Sequence, residues 1–252
     1  MPKPPELPCV LLLEDDAAVR RFIELALYGL PLELQACARL TEARALLART
    51  PVQLVLADLH LPDGSGLEML DELRAQGQHC PLVVISGAVD DGVRRQLLAR
   101  GVAQVLPKPV AVDSLVAAVR LALAGTQALE APASGAAPAP APATPEPTID
   151  ALGEFFAGQQ ALYDAWRATS LPQLPRDLAE GDAAARAGDA PALRRVAHNL
   201  KTALTMFGQG HAAQLARATE EHAAQGAQEA MQLHWQRLRQ QVRAWLAQQP
   251  RT

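Results

Sequence analysis

Four apolar runs in the first half of the sequence end in polar side chains that can bind a metal ion or react with phosphorus. These endings are Glu14-Asp15-Asp16, Asp58, Ser86-Gly87 and Lys108-Pro109. Carboxylates held close together repel one another, and a hard divalent cation such as Mg²⁺ relieves that repulsion. A carboxylate beside Mg²⁺ and a lysine can attack a phosphoryl group in line, because both cations neutralise charge on the transferring oxygens. The simpler alternative is that each residue only caps a strand or a helix.

Short apolar runs alternate with amphipathic segments over residues 7–123. The runs are 9–13, 34–38, 52–57, 82–85 and 103–106, and the helical segments lie near 17–28, 41–49, 66–76, 90–99 and 113–123. Such uniformly apolar runs are typical of a parallel sheet covered on both faces. The alternation predicts a doubly wound α/β domain with a five-stranded parallel sheet. Ligands bind beyond the carboxyl ends of strands in such sheets, so the polar endings should meet at one edge.

Helix boundaries in this part follow from local residue types. Thr41 and Asp113 are expected to be N-caps, because their side-chain oxygens can accept hydrogen bonds from the first turn. Gly77 and Gly101 are expected to end helices, since glycine adopts the left-handed conformation of a helix stop.

These motifs together resemble the receiver domain of response regulators. The matching segments are the LLLEDD run ending at Asp16, DLHLPDGSG from Asp58, VISG ending at Gly87, and Lys108-Pro109. The resemblance spans residues 7–123 and implies a flavodoxin-like fold with Asp58 as the phosphoacceptor. It further implies a set of supporting roles: Mg²⁺ ligands at Glu14, Asp15, Asp58 and the backbone carbonyl of His60, a switch hydroxyl at Ser86, an ammonium partner at Lys108 and a cis Lys108–Pro109 bond.

Two positions depart from the usual receiver pattern. Receivers usually carry an aromatic residue three positions before the lysine, where this chain has Val105. Coupling of phosphorylation to an aromatic rotamer is therefore not expected in its usual form. His60 is not the commonest residue at its place, and its side chain could alter the access of water to an acyl phosphate.

The second half of the chain changes character at residue 124. Residues 124–148 are rich in alanine and proline, which predicts a semi-extended linker between a first domain at 1–123 and a second at 149–252. From Ile149 onward the pattern is helical, with breaks expected near 171–175, Gly181, 188–191, 208–210 and Gly226. Four or five helices with short connections predict an antiparallel four-helix bundle.

One predicted helix, residues 189–208, carries a histidine opposite its apolar stripe. Asp189 can N-cap this helix, Pro191 fits its first turn and Gly208 can end it. The stripe consists of Leu193, Val196, Ala197, Leu200, Leu204 and Phe207. His198 projects roughly 150° from its centre and should point at solvent, with Thr202 and Thr205 on its face and Arg194, Arg195 and Lys201 nearby. An ordinary surface histidine is the alternative, and a metal site is disfavoured because the histidines lack a compact ligand spacing.

The run His198-Asn-Leu-Lys201, with small residues and Gly208 after it, resembles the histidine phosphotransfer (Hpt) domain. The resemblance extends over roughly residues 150–248 and implies that His198 carries a phosphoryl group. Lys201, one turn away, would then stabilise that group. The basic neighbours suit docking against an acidic receiver pocket. A glycine commonly follows the lysine, and Thr202 at that place could narrow the range of partners or slow transfer.

Composition and motifs narrow the function classes. The net charge of −4 gives no overall basic footprint for nucleic acid, and an aromatic content of only 4% argues against base-stacking surfaces. No Gly-rich nucleotide loop is evident, so we predict no kinase ATP site and expect phosphate to come from a partner. No apolar run suits a signal peptide or a membrane helix, which predicts a cytoplasmic protein without membrane insertion.

Three functional hypotheses follow from the two resemblances. In the first, the chain is a two-component phosphorelay protein whose Asp58 and His198 both carry phosphate, with a sensor histidine kinase or hybrid-kinase receiver and a downstream response regulator as partners. In the second, phosphorylation of Asp58 exposes or masks His198. In the third, receiver phosphorylation controls a helical module that binds and inhibits a sensor kinase or another regulator without phosphotransfer.

Overall fold

The computed structural model describes residues 7–75, 77–78, 80–87, 90–127 and 150–249. Contacts between Cα atoms divide the chain into two compact units, Met1–Asp15 with Ala26–Thr148, and Asp16–Leu25 with Ile149–Thr252. The α/β part and the helical part are therefore taken one at a time. Among the helices that the structure describes, none has the length and apolar character required to span a bilayer.

The α/β part contains the predicted five-stranded parallel sheet. Its strands are β1 (Cys9–Leu13), β2 (Glu33–Cys37), β3 (Leu54–Ala57), β4 (Leu82–Ser86) and β5 (Gln104–Pro107), in the order β2-β1-β3-β4-β5. The helices between and after them are α1 (Ala17–Leu27), α2 (Leu40–Leu47), α3 (Gly66–Ala75), α4 (Asp91–Ala99) and α5 (Val112–Gln127). Strands β1, β3 and β4 are buried at every residue, while the edge strands β2 and β5 keep some exposed positions. This confirms the predicted fold class. It also confirms that the uniformly apolar runs are strands of a parallel sheet that is covered on both faces.

In the α/β part, the glycines predicted to end helices are confirmed, whereas the residues predicted to be N-caps are not. Gly77 and Gly101 have φ angles of 69° and 82° and follow α3 and α4, as expected. The two cap predictions are wrong. The N-cap of α2 is Arg39, which makes no side-chain cap hydrogen bond, and Thr41 lies inside the first turn. Helix α5 begins at Val112, so Asp113 also lies in a first turn.

The predicted linker falls largely outside the described residues. Helix α5 continues to Gln127, so the first four residues assigned to the linker are helical. Residues 128–148 of the Ala/Pro-rich segment lie in the part of the chain that the structure does not describe.

The helical part is built from α6 (Ala151–Phe156), α7 (Gln160–Ser170), a 3₁₀ turn (Leu171–Gln173), α8 (Leu174–Ala187), α9 (Ala190–Met206), α10 (Gly210–Gln225) and α11 (Gln228–Ala247). Contacts join α8 to α9, α9 to α10, α10 to α11 and α11 back to α8. These four helices therefore form a closed bundle. The expected N-cap of α9 is confirmed, since Asp189 Oδ1 accepts a hydrogen bond from Ala192 N at 3.0 Å.

The predicted break at Gly181 is wrong, because this glycine lies inside α8. A Cβ atom there would overlap the ring of Trp235 on α11. The neighbouring Asp182 accepts a hydrogen bond from Trp235 Nε1 at 3.0 Å, and Arg239 and Arg243 also donate to it. Gly181 thus allows a close helix approach that the ion pairs then hold, instead of ending a helix.

Candidate functional site

Three carboxylates meet at the edge of the sheet where the parallel strands end. Glu14 and Asp15 follow β1, and Asp58 follows β3. One ligand oxygen from each residue lies within 4.8 Å of the others. Backbone hydrogen bonds continue the strand ladder into this cluster, because Asp58 N donates to Leu13 O at 2.9 Å. Asp16 is not in the cluster, since its Oδ1 accepts hydrogen bonds from Ala18 N and Val19 N at the start of α1.

Lys108 after β5 lies between two of these carboxylates. Its Nζ is 2.6 Å from Glu14 Oε2 and 2.7 Å from Asp58 Oδ2, and the lysine side chain is only 2% exposed. Burial alone would lower the pKa of Lys108, but the nearby carboxylates of Glu14 and Asp58 outweigh burial and raise that pKa above its ordinary value. The lysine therefore remains an ammonium group and offsets part of the negative charge.

Ser86 and His60 are the two remaining residues predicted for this site. Ser86 is buried at the end of β4, and its backbone oxygen accepts a hydrogen bond from Lys108 N at 3.0 Å. Within the described residues, its hydroxyl makes no hydrogen bond. His60 N donates to Asp58 Oδ1 at 3.2 Å, while the His60 side chain is exposed. The Lys108–Pro109 peptide bond is cis, as the receiver resemblance implied.

His198 on α9 is far less exposed than the sequence predicted. Its side chain is 12% exposed, and its Nε2 is covered from solvent. The prediction failed because α9 packs against α6, α8 and α10, so its covered surface is wider than its own apolar stripe. Thr202, expected on the same solvent face, is also buried. The stripe itself is confirmed, since all six of its members are buried.

Glu220 on α10 binds both His198 and Lys201. Its Oε1 is 2.8 Å from His198 Nδ1, and its Oε2 accepts from Lys201 Nζ at 2.6 Å. Burial raises the pKa of Glu220, but the hydrogen bonds and charges of His198 and Lys201 outweigh burial and hold the pKa at about 2. The imidazole and the ammonium therefore share one ionised carboxylate.

Sequence reasoning missed Glu220, although a signal was available. His198 and Glu220 are each eleven residues from Gln209, in the glycine-flanked turn between α9 and α10. Residues equally distant from the turn of an antiparallel helix pair lie at the same level of the bundle. That symmetry could have pointed to Glu220 as a partner.

Two protein-family models match the two parts of the chain. The response regulator receiver domain matches residues 10–120, and the Hpt domain matches residues 165–248. The chain contains a receiver domain and an Hpt domain. Both are signalling modules of the two-component type.

Curated relatives of this chain are response regulators. Response regulator protein PilR from Pseudomonas aeruginosa is 34% identical over 126 residues, which cover 48% of this chain and 28% of PilR. The KDP operon transcriptional regulatory protein KdpE from Escherichia coli is 33% identical over 123 residues, covering 49% of this chain and 54% of KdpE. The chain therefore spans about half or less of the length of these relatives. The signal receiver domain of an HD domain-containing protein from Pseudomonas fluorescens matches with a TM-score of 0.45 at 26% identity, covering 48% of this chain and 98% of that one.

The carboxylates of the receiver domain fit the Mg²⁺ ion that receivers bind at an acidic pocket. Glu14, Asp15 and Asp58 offer hard oxygen ligands from one small region, which is the ligand type that Mg²⁺ prefers. Lys108 offsets only one of three negative charges, so a divalent cation would bring the cluster close to neutrality.

The surface of the Hpt domain near His198 keeps part of its predicted basic character. Arg194 and Arg195 are exposed on α9, and Arg195 forms an ion pair with Glu180 of α8 at 3.2 Å. Lys201 is only 20% exposed, because its ammonium group turns toward Glu220. The lysine is therefore already engaged before any phosphoryl group arrives.

Proposed function

We propose that Asp58 accepts a phosphoryl group from a partner kinase and that His198 carries one which it exchanges with a receiver. That receiver is either the one in this chain or one in another protein. The observation that carries the proposal is the carboxylate of Asp58 held 2.7 Å from the ammonium of Lys108, beside Glu14 and Asp15. Sensor histidine kinases or hybrid-kinase receivers are the proposed donors, and downstream response regulators the proposed acceptors.

The receiver residues would divide the work of phosphoryl transfer. A carboxylate oxygen of Asp58 would form a bond to phosphorus as the P–N bond of the donor phosphohistidine breaks. Lys108 would neutralise charge on the transferring oxygens, and the buried hydroxyl of Ser86 could donate a hydrogen bond to them. Mg²⁺, held by Glu14, Asp15, Asp58 and the carbonyl of His60, would supply further charge neutralisation.

The Hpt residues favour one ring nitrogen as the nucleophile. The carboxylate of Glu220 at Nδ1 favours the tautomer with the proton on Nδ1 and the lone pair on Nε2. Nε2 would attack an aspartyl phosphate, forming a P–N bond as the P–O bond to the carboxylate breaks. The Nδ1 proton stays on the ring, and Glu220 offsets the positive charge that results.

The shielding of His198 supports a second candidate function. With its side chain 12% exposed and Nε2 covered, the ring must become more accessible before phosphorus can reach it. A helical module that binds and inhibits a kinase or another regulator, without phosphotransfer, needs no such change. Receiver phosphorylation would then control binding instead of supplying phosphate.

Radiolabel transfer to the full chain separates the two functions. Candidate kinases and phosphorylated receivers serve as donors of label to the wild type, to Asp58→Ala and to His198→Ala. The control is His211→Ala, which removes an exposed histidine on α10. We expect base-labile label that Asp58→Ala abolishes and acid-labile label that His198→Ala abolishes. Normal partner binding with no acid-labile label would instead favour the inhibitory module. The proposal would be contradicted if base-labile label persisted in Asp58→Ala and acid-labile label persisted in His198→Ala.

The exposed side chain of His60 is expected to set the lifetime of the acyl phosphate. Its backbone N–H donates to Asp58 Oδ1 at 3.2 Å, and its side chain is exposed two residues along the chain from the phosphoacceptor. His60→Ala should change the half-life of phosphorylated Asp58 by less than the roughly 10²–10⁴-fold effect of a general base, because the imidazole would control only the access of water. The half-life is measured as loss of base-labile label, with His60→Gln as the size-matched control. Identical half-lives in wild type and His60→Ala would reject the role.

A further inference from the structure

The loop that carries Asp58 and His60 is a tight hairpin, residues 58–66, which we call the phosphoacceptor hairpin. Leu61 and Gly64 pair across it, with Leu61 N donating to Gly64 O at 3.0 Å and Gly64 N to Leu61 O at 3.4 Å. At its base, a Cβ atom on Gly66 would overlap the backbone oxygen of Asp58. Asp63 lies at the tip, between the paired residues.

The tip of the hairpin is bound to the start of α2 by Asp63. Its Oδ1 accepts from Leu40 N at 2.9 Å, and its Oδ2 accepts from Thr41 N and Thr41 Oγ1, both at 3.1 Å. The N-cap residue of α2, Arg39, makes no side-chain cap hydrogen bond. Two of the N–H groups that the start of this helix leaves without a partner within the helix are thus satisfied from more than 20 residues away in sequence.

Packing reinforces the same connection. Gly64 has a φ angle of 149°, and a Cβ there would come within 2.5 Å of Leu40 Cδ1. Burial raises the pKa of Asp63, but the hydrogen bonds from Leu40 and Thr41 outweigh it and hold the pKa below its ordinary value. The carboxylate therefore stays ionised at neutral pH, where its charge also suits a helix N-terminus.

We propose that Asp63 is a positioning residue for the metal site: by capping α2 from the tip of the phosphoacceptor hairpin, it holds the backbone of His60 in place to ligate Mg²⁺. The inference rests on the proposed function, because His60 is a ligand there. The hairpin is anchored at its base by Gly66 and at its tip by Asp63, and His60 lies between these two points. Releasing the tip would let the His60 carbonyl move while leaving the three carboxylates in place.

Magnesium titration of the full chain by calorimetry tests the inference. Asp63→Ala should weaken Mg²⁺ binding about tenfold, as removal of an outer-shell partner typically does. Glu72→Gln is the control, because Glu72 also joins α3 to α2, through Arg44, without contacting the hairpin. We expect Glu72→Gln to bind Mg²⁺ as the wild type does.

A double variant separates positioning from simple helix capping. Arg39→Ser should give α2 a cap of its own, since serine is a favoured N-cap and Arg39 already has extended backbone angles. We expect Arg39→Ser with Asp63→Ala to recover thermal stability but keep the weakened Mg²⁺ affinity. Recovery of both together, or wild-type affinity in Asp63→Ala, would overturn the inference. A wild type that binds Mg²⁺ but takes no label on Asp58 would contradict the proposed function alone.

Discussion

Lys108→Met is expected to lower the free energy of unfolding of the receiver domain by about 3–5 kcal/mol at pH 7, the usual cost of removing one partner from a buried ion pair. The side chains of Glu14 and Asp58 are each 1% exposed and both contact the Lys108 ammonium. Methionine keeps the apolar stem of lysine but leaves two buried carboxylates without their cation. The destabilisation therefore comes from uncompensated charge and not from a cavity.

Added Mg²⁺ should stabilise the variant more than the wild type, because the cation replaces the missing positive charge.

Urea denaturation of the full chain measures the loss of receiver stability, and the Hpt domain in the same chain serves as the internal reference. All three tryptophans, Trp166, Trp235 and Trp245, lie within the Hpt match, so tryptophan fluorescence follows that domain while circular dichroism follows both. Arg100→Met is the matched control: its ion pair with Asp71 is exposed on both sides and should cost only about 0–1 kcal/mol. A Lys108→Met receiver as stable as the wild type at pH 7 would contradict the role of the buried ammonium.

Glu220→Ala should slow phosphoryl transfer to His198 by roughly 10- to 100-fold, the size of effect seen when a metal-binding histidine loses the carboxylate that orients it. The carboxylate of Glu220 contacts both His198 Nδ1 and Lys201 Nζ. Its loss frees the imidazole to adopt the other tautomer, in which Nε2 carries the proton and cannot attack. Glu220→Gln, which keeps an acceptor oxygen for Nδ1 but no charge, should fall between wild type and alanine.

The same carboxylate makes a pH-dependent contribution to stability. Its pKa of about 2 lies below the ordinary value of 4.5, so its contribution is complete above about pH 4.5 and is lost as the pH falls toward 2. The stability difference between wild type and Glu220→Ala should follow that course when tryptophan fluorescence is used. Glu221→Ala is the control, since among the described residues the neighbouring Glu221 pairs only with exposed Arg217. Unchanged transfer kinetics in Glu220→Ala would contradict its orienting role.

Several elements were predictable because their signals are local. The bounds of β1 were predicted to the residue, since five consecutive apolar positions between Pro8 and Glu14 leave little choice. Asp189 and Gly208 delimit α9 as expected, because cap chemistry acts within one turn. The convergence of Glu14, Asp15, Asp58 and Lys108 followed from parallel topology alone, which brings the carboxyl ends of strands to one edge.

Other features depended on which elements become neighbours. Gly181 looks like a helix break in isolation, yet it lies inside α8 because the ring of Trp235 needs its missing side chain. Thr41 has the residue type of an N-cap, but α2 begins one residue earlier and takes its cap from Asp63.

The amino-acid order alone determined three features: the alternation of strands and helices, the polar side chains at the strand ends, and the apolar stripe of α9. Each depends on periodicity along one segment, which sequence records directly. The tertiary structure decided that His198 is shielded, that Glu220 joins it to Lys201, and that Asp63 holds the phosphoacceptor hairpin to α2. These outcomes depend on how helices and loops distant in sequence pack against one another, and the period of a single helix carries no information about the neighbour that covers its other faces.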